Sequence, residues 1–415
     1  MPLTRRQIFL RRRVAFFGSL AVVLAAVVYL AGTGFAPVPA TAAELAAPAA
    51  LTQPAARPAW PGSGQSAIGA VGFPGVLGSA GSQASVPIAS ITKMVTSLVV
   101  LEKKPLTGTE PGPAITFTDA DVATYYKVIA MNGSVAPVVS GMVLSERQTL
   151  EAMLLPSANN YSISLAVWAY GSLNAYLAAA AAWLKGHGLA GTTVADTSGI
   201  SPGSRSSPAD LVEIGKLVVA NPALASIVAM PTADLPTIGT VKNTNKLLGR
   251  HGVTGLKTGT TDEAGACLLF SAKVAVDSRT VTLVGVVLGG RTHPELNRAV
   301  LALIDSVKPG FRNVTLAKKG EVYGSYTTAW GQTSDAVAAK SASVLVWSDT
   351  PVSAHAKART LSLGSAGDRV GAVDFTVGDQ TVSVPLLLNR PLSDPGPAWR
   401  FSHPGELSAR PGRGR

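Results

Sequence analysis

The sequence predicts an α/β protein in which an antiparallel sheet is flanked by helices and carries a helical lobe, followed by a small all-β domain. Three observations predict it. Apolar residues recur at helical spacing from Ser90 to Lys104 and again from Leu144 to Val219. From Gly252 to Leu288, runs rich in Val, Leu and Thr alternate with turn residues, as strands do. From Asn313 to Leu388 short Val-, Tyr- and Thr-containing segments are separated by Gly, Asp and Ser, and no helical period survives. At 415 residues with 47% hydrophobic positions, the chain can bury a large core and divide into more than one domain.

The first forty residues read as targeting sequence. Arg5, Arg6, Arg11, Arg12 and Arg13 precede an uncharged run from Val14 to Gly32, and Ala40-Thr41-Ala42 resembles a small-residue cleavage site. The run is close to the roughly 20 residues that cross a bilayer, which favours an uncleaved anchor over a removed signal segment. In either case the arginines stay inside and the rest of the chain lies outside. Residues 41–65 are rich in Ala, Pro and Thr and read as a linker.

Ala67 to Ser79 suggests a hairpin around Gly72 and Pro74. The run SITKMVTSLVVLEKK then forms a helix, ending in lysines that suit its negative end. Leu150 to Leu155, Tyr161 to Trp168 and Leu173 to Leu184 supply the helical lobe. Gly252 to Thr258, Cys267 to Val276 and Thr280 to Leu288 follow as strands, consecutive and so antiparallel neighbours. Glu295 to Val307 is a closing amphipathic helix stopped by Pro309-Gly310. These elements place a catalytic domain at 66–310 and a β domain at 311–392. Residues 393–415, rich in Pro, Gly and Arg, read as a disordered basic tail.

The net charge of +11 is concentrated at the ends. The five N-terminal arginines carry five of these charges, and Gly396 to Arg415 holds four arginines against one Glu, which leaves +3 for the 382 residues between. Such a distribution excludes a general nucleic-acid surface. Cys267 is the only cysteine, so an intrachain disulfide and a multi-cysteine zinc site are both excluded. His187, His251, His293, His355 and His403 lack metal-ligand spacing and read as surface or loop residues, so neither metal nor cofactor is expected.

Chemistry concentrates in three short segments. Ser90-Ile91-Thr92-Lys93 sets a hydroxyl and an amine one helical turn apart, a nucleophile beside a candidate base. Such a Ser-x-x-Lys match arises by chance about once per ~300 positions. Ser157-Ala158-Asn159 lies at a break between helical runs, where its side chains can face a cleft. Lys257-Thr258-Gly259-Thr260 lies on a predicted strand. Singly, these segments are a helix cap, a polar turn and a solvated strand end; their order on helix, loop and strand is what carries weight.

The set resembles the low-molecular-weight penicillin-binding D-alanyl-D-alanine carboxypeptidases of serine peptidase family S11. The likeness extends to ASITKMVTSLVVLE, LLPSANN, NTNKLL, GLKTGTTDEAGACLL and VVLGGRT, and to GEVYGSY and VPLLLNR in the β segment, covering about Ser66 to Leu388. It implies that Ser90 is acylated, with Lys93 taking its proton and Ser157 relaying a proton to the departing D-Ala nitrogen. It also implies that Asn159 bonds the substrate amide, Lys257 polarises the serine pair and Thr258 meets the terminal carboxylate. The backbone N–H groups of Ser90 and Thr260 would form the oxyanion hole. The implied partners are peptidoglycan stem peptides and β-lactams, on the extracytoplasmic face of the membrane or in the wall.

Two departures stand out. Asn160 occupies the place of the family's usual acid after the Ser-x-Asn motif, and the family's C-terminal amphipathic membrane helix is missing. Arg291 and Arg298 are left outside the site as solvated residues. The rival readings are a D,D-endopeptidase, a β-lactamase or an inactive wall-binding homologue. Class A β-lactamases place an activating Glu in an E-x-x-L-N segment between the second and third motifs. Only Glu213 lies in that interval, in DLVEIGKL, a surface-helix context; the HPELN string at His293 to Asn297 comes after Lys257 and opens a helix.

Overall fold

The computed structural model describes residues 4–46 and 48–408. They form two compact units, Ala55–Arg312 and a second one that joins Met1–Pro54 to Asn313–Arg415.

The first unit is built on a five-stranded antiparallel sheet, in the order Val253–Thr261, Gly265–Val276, Arg279–Gly290, Gln65–Ala70, Gly78–Ala80. Tight turns fix the register of its first three strands. The pair Val276↔Arg279 leaves only Asp277-Ser278 to turn the chain, and Asp277 takes φ 51°, the left-handed geometry that short hairpins need. The expected hairpin from Ala67 closes the other side, pairing Ser66 with Ala80 and Leu283 with Ala70. Leu268, Leu269 and Phe270 are consecutive and fully buried, so both faces of the sheet are covered. Helix Pro208–Ala220 comes close to the sheet at Gly215, where a Cβ would lie 2.4 Å from Val284.

The lobe surrounds helix Thr92–Lys103, whose residues from Thr92 to Leu101 are all buried. It packs among Glu146–Leu154, Asn159–Tyr170, Leu173–Gly186 and Pro208–Ala220. Enclosed on every side, the helix buries its polar residues with its apolar ones: Thr92, Lys93, Thr96 and Ser97 are all buried and all hydrogen-bonded. The turns of the lobe are locally encoded: Ser145 caps Gln148 N in a capping box, and Gly171 ends a helix at φ 80° before Ser172 caps the next. Helix Asp119–Ala130 escaped the sequence reading because only Val128 of it is buried, leaving no apolar stripe.

The second unit centres on a six-stranded antiparallel sheet, ordered Glu44–Leu45, Val322–Thr327, Thr333–Ala338, Gln380–Leu388, Arg369–Val377, Val352–Ala358. A further pair joins Phe311–Ala317 to Ala342–Trp347. Its core includes Tyr326, Val373, Phe375, Val384 and Leu386.

Two sequence expectations change here. Residues 41–65 are not a free linker: Glu44–Leu45 is an edge strand on Val322–Thr327, Thr41 exchanges backbone bonds with Leu361, Leu51 bridges Val352, and Gln65 already belongs to the first unit's sheet. Alternating small residues leave this segment's backbone free to pair with an open sheet edge. The expected disordered tail contains helix Gly396–Ser402, with Trp399 against Trp330 and Arg400 bonded to Asp394; residues 409–415 lie outside the described part. The ring contact and that ion pair supply the anchoring that composition did not reveal. Helix Arg5–Gly34 is long and apolar enough to cross a membrane, with a mean hydropathy of 2.5 over its most apolar window.

Candidate active site

Ser90 sits in a single 3-10 turn, Ala89–Ile91, that runs directly into helix Thr92–Lys103. This continuity places Lys93 one turn further on, its Nζ 2.8 Å from Ser90 Oγ. Ala89, just before the serine, has φ 46° and packs against Gly199, where a Cβ would lie 1.8 Å from the Ala89 carbonyl oxygen. Only glycine fits at Gly199, which itself takes φ 80°.

Lys93 is fully buried, and four oxygens lie within hydrogen-bond reach of its Nζ: Ser90 Oγ, Ser157 Oγ at 3.5 Å, Asn159 Oδ1 at 2.6 Å and the Ser198 carbonyl at 3.3 Å. Burial, and then the charge of Lys257, hold its amine well below the usual lysine value, with Asp196 opposing them. Asp196 also shapes the loop that carries the Ser198 carbonyl. Its carboxylate accepts from the backbone N–H groups of Ser198, Gly199 and Ser201. Neither Asp196 nor Ser198 was singled out from the sequence.

Ser157 lies between helices Glu146–Leu154 and Asn159–Tyr170 with φ 66°, a strained setting for a non-glycine residue. Asn159 opens the second helix, its N–H donating to the Ser134 carbonyl at 2.7 Å. It lies behind the groove, its amide oxygen turned to Lys93. Asn160 answers the departure noted above. Its amide spans both backbone groups of Ala136, accepting at 3.2 Å and donating at 3.0 Å, so a neutral side chain clamps the 134–137 segment without an acid.

The opposite wall is strand Val253–Thr261. Lys257 is 1% exposed, and burial lowers its amine to about 7. Side chains alternate along the strand, and the positions on Lys257's side approach the turn that carries Ser90. At Gly259 a Cβ would meet Ile88 O at 2.9 Å and Ser90 N at 3.1 Å, so any side chain there would push the two walls apart. Thr258 and Thr260 line the groove, and Thr258 Oγ1 lies 2.6 Å from Thr244 Oγ1.

The groove between these walls holds about 340 Å³ and is lined by Ser90, Ser134, Ser157, Thr258, Thr260 and, at one end, His293 and Asn297. Of the seven residues singled out from the sequence, Ser90, Ser157, Thr258 and Thr260 reach it, while Lys93, Asn159 and Lys257 are buried behind its surface. His293 was expected on a plain surface. It is half-buried, with Nε2 2.5 Å from Thr260 Oγ1. The string containing His293 and Asn297, set aside as a decoy, supplies part of this wall because helix His293–Val307 starts beside the end of the strand. Arg291 and Arg298 are exposed, and Glu213 is paired with Lys216 at 2.9 Å on its helix.

The chain is 32% identical over 201 residues to a D-alanyl-D-alanine endopeptidase of Pseudomonas aeruginosa, covering 46% of this chain and 60% of that protein. It is 26% identical over 239 residues to a D-alanyl-D-alanine carboxypeptidase of Bacillus subtilis, covering 56% and 59%. The matches thus span about three fifths of these relatives. A mutant of a Streptomyces DD-transpeptidase superposes with a TM-score of 0.53 at 26% identity, covering 59% of this chain and 97% of that one. Penicillin binding protein 5 from Haemophilus influenzae shares the fold, with a TM-score of 0.57 at 19% identity over 80% and 98% of the two chains. Residues 74–292, more than half of the chain, match the family profile described as D-alanyl-D-alanine carboxypeptidase, and the chain belongs to that family.

Proposed function

We propose that the chain is a serine-type D-Ala-D-Ala carboxypeptidase that removes the terminal D-Ala of peptidoglycan stem peptides and is acylated by penicillin. One observation carries this reading: the buried Lys93 amine, 2.8 Å from Ser90 Oγ and lowered by burial and by Lys257. A lysine serves as a base only when neutral, and this site favours the neutral form.

In the proposed reaction, neutral Lys93 takes the Ser90 hydroxyl proton as Oγ attacks the carbonyl of the penultimate D-Ala. The C–N bond then breaks, Ser157 passes a proton to the leaving nitrogen, and free D-Ala departs. Water attacks the acyl-serine, one proton returns to Ser90 Oγ, and the shortened peptide leaves with a new carboxylate. Asn159 steadies Lys93 and is assigned the substrate amide. Lys257 keeps the serine pair polarised, Thr258 and Thr260 receive the terminal carboxylate, and the N–H groups of Ser90 and Thr260 receive the oxyanion. The close approach at Gly259 supports that last assignment.

The apolar Arg5–Gly34 helix supports anchoring in the membrane, with the arginine-rich end inside and both units on the outer face. A D,D-endopeptidase on the same chemistry is the second reading, favoured by the name of the Pseudomonas aeruginosa relative.

A test separates peptidase from β-lactamase. Among the described residues no acid lines the groove, and Glu213 is held on a helix by Lys216, which argues against a carboxylate that orients water for rapid removal of a penicilloyl group. Intact-mass spectrometry after mixing with penicillin is expected to show an adduct that outlasts many peptide turnovers. Rapid drug hydrolysis without an adduct would overturn the reading. Ser90→Ala is expected to abolish both labelling and D-Ala release; a variant that still labels puts the nucleophile elsewhere.

A further inference from the structure

The end of the groove at His293 has no assigned role. Thr260 Oγ1 and His293 Nε2 lie 2.5 Å apart, and both residues line the groove with Asn297, one turn along the same helix, and Lys246 on the facing side. No acid lines it. The charged groups around His293 are Lys257 on the strand, Lys246 across the groove, Arg291 just before it, and Glu295 and Arg298 on its own helix, both exposed. Burial and Lys257 hold its imidazole below the ordinary histidine value.

The proton on this imidazole decides where the Thr260 hydroxyl points. A neutral ring can accept from Thr260 and turn its proton away from the groove. A protonated ring can only donate, so Thr260 Oγ accepts from it and its own proton is free for a groove ligand. Such a ligand would be anionic, because the site offers donors and positive charge and nothing to repel a carboxylate.

We propose that His293 is a positioning residue for the substrate's free terminal carboxylate, its protonated ring donating to Thr260 Oγ so that the Thr260 hydroxyl donates to the carboxylate. The inference rests on the carboxypeptidase reading and gives it a specificity element. A peptide whose terminal carboxylate is blocked as an amide gains nothing from the switch, so acidification favours substrates that present a free carboxylate there.

The test is binding to the full chain carrying Ser90→Ala, which does not require turnover. Calorimetry at pH 8, 6.5 and 5 compares a peptide ending in D-Ala-D-Ala with its C-terminal amide. From pH 6.5 to 5 the free acid, still ionised, is expected to bind about fivefold more tightly and the amide to stay unchanged. Adding His293→Gln should abolish the gain, because its amide can donate at every pH. Lys257, which titrates near 7, acts in both proteins, so the difference between them isolates His293. The proposal is overturned if the gain is absent, persists in the glutamine variant or appears equally with the amide. Failure of the carboxypeptidase reading looks different: the free acid binds with the expected pH response, but the Ser90 protein releases no D-Ala from it.

Discussion

In the catalytic unit Lys93 and Lys257 are both buried to 1% exposure or less, whereas no charged side chain among the described residues of the β unit is buried. Both units are antiparallel sheets with apolar cores, and their turns follow the same rules. They differ in what the interior is asked to hold. Burying a cation costs free energy unless partners are supplied, and an interior built for packing alone avoids it. The β unit keeps its lysines and carboxylates in solvent, as with Lys357 and Asp374, 3.5 Å apart on neighbouring strands. The first unit keeps two amines where burial disfavours their charged forms, beside Ser90 and the groove.

The largest effect that can break this contrast is at Lys93. Lys93→Met keeps most of the side-chain volume and removes the amine. Acylation by penicillin is expected to fall ~10²–10⁴-fold, the usual range for losing a positioned base. Stopped-flow labelling measures it, and a variant that acylates at the parent rate would show that the buried cage is structural.

A smaller effect is thermal and pH-dependent. Lys257 releases its proton near 7 in the folded state but at its ordinary value when unfolded. Between these values the unfolded chain binds more protons, so folding stability of the catalytic unit rises with pH. Glu146, pushed to about 7 by burial, works in the opposite sense but has only the second half of its change left above 7, a smaller effect, and the buried Cys267 thiol opposes only above about 8.5. Lys93, also held well below its usual value, adds in the same direction, so from pH 7 to 8.5 the transition of this unit should rise by at least roughly 2 °C. In the β unit Asp374 and Asp394 are held below the usual range by Ser383 and Arg400, which lowers its stability in acid, and burial raises Tyr323 and Tyr326, which lowers it only in alkali near and above about 10, so its transition should stay level over the same window. Scanning calorimetry reads both transitions; parallel movement would contradict the contrast.

The smallest effect belongs to the β unit. Tyr326 packs in its core and donates to the Arg359 carbonyl at 2.7 Å. Tyr326→Phe removes that bond alone, at about 1 kcal/mol, with penicillin labelling unchanged. A labelling rate that drops with this substitution would mean that the β unit reaches into the chemistry.

Much of this architecture is written locally. Apolar period gave the helices of the lobe, Val- and Thr-rich runs gave the central strands, and serine at i with lysine at i+3 was legible because a helical turn brings those positions together. The type of chemistry followed from three short segments. Their order along the chain carried it.

Only the tertiary structure decided what surrounds those segments. The Ser198 carbonyl reaches Lys93 across 105 positions, and Thr260 meets His293 across 33. No local propensity encodes such distances, because each depends on where whole helices and strands come to rest. The same holds for Thr41 and Leu361, paired although composition made residue 41 the start of a linker. Backbone donors and acceptors bond to whatever edge packing brings within reach. Sequence by itself determined which groups are present and in what order; packing alone determined which are buried, and burial is what lowers the amines of Lys93 and Lys257.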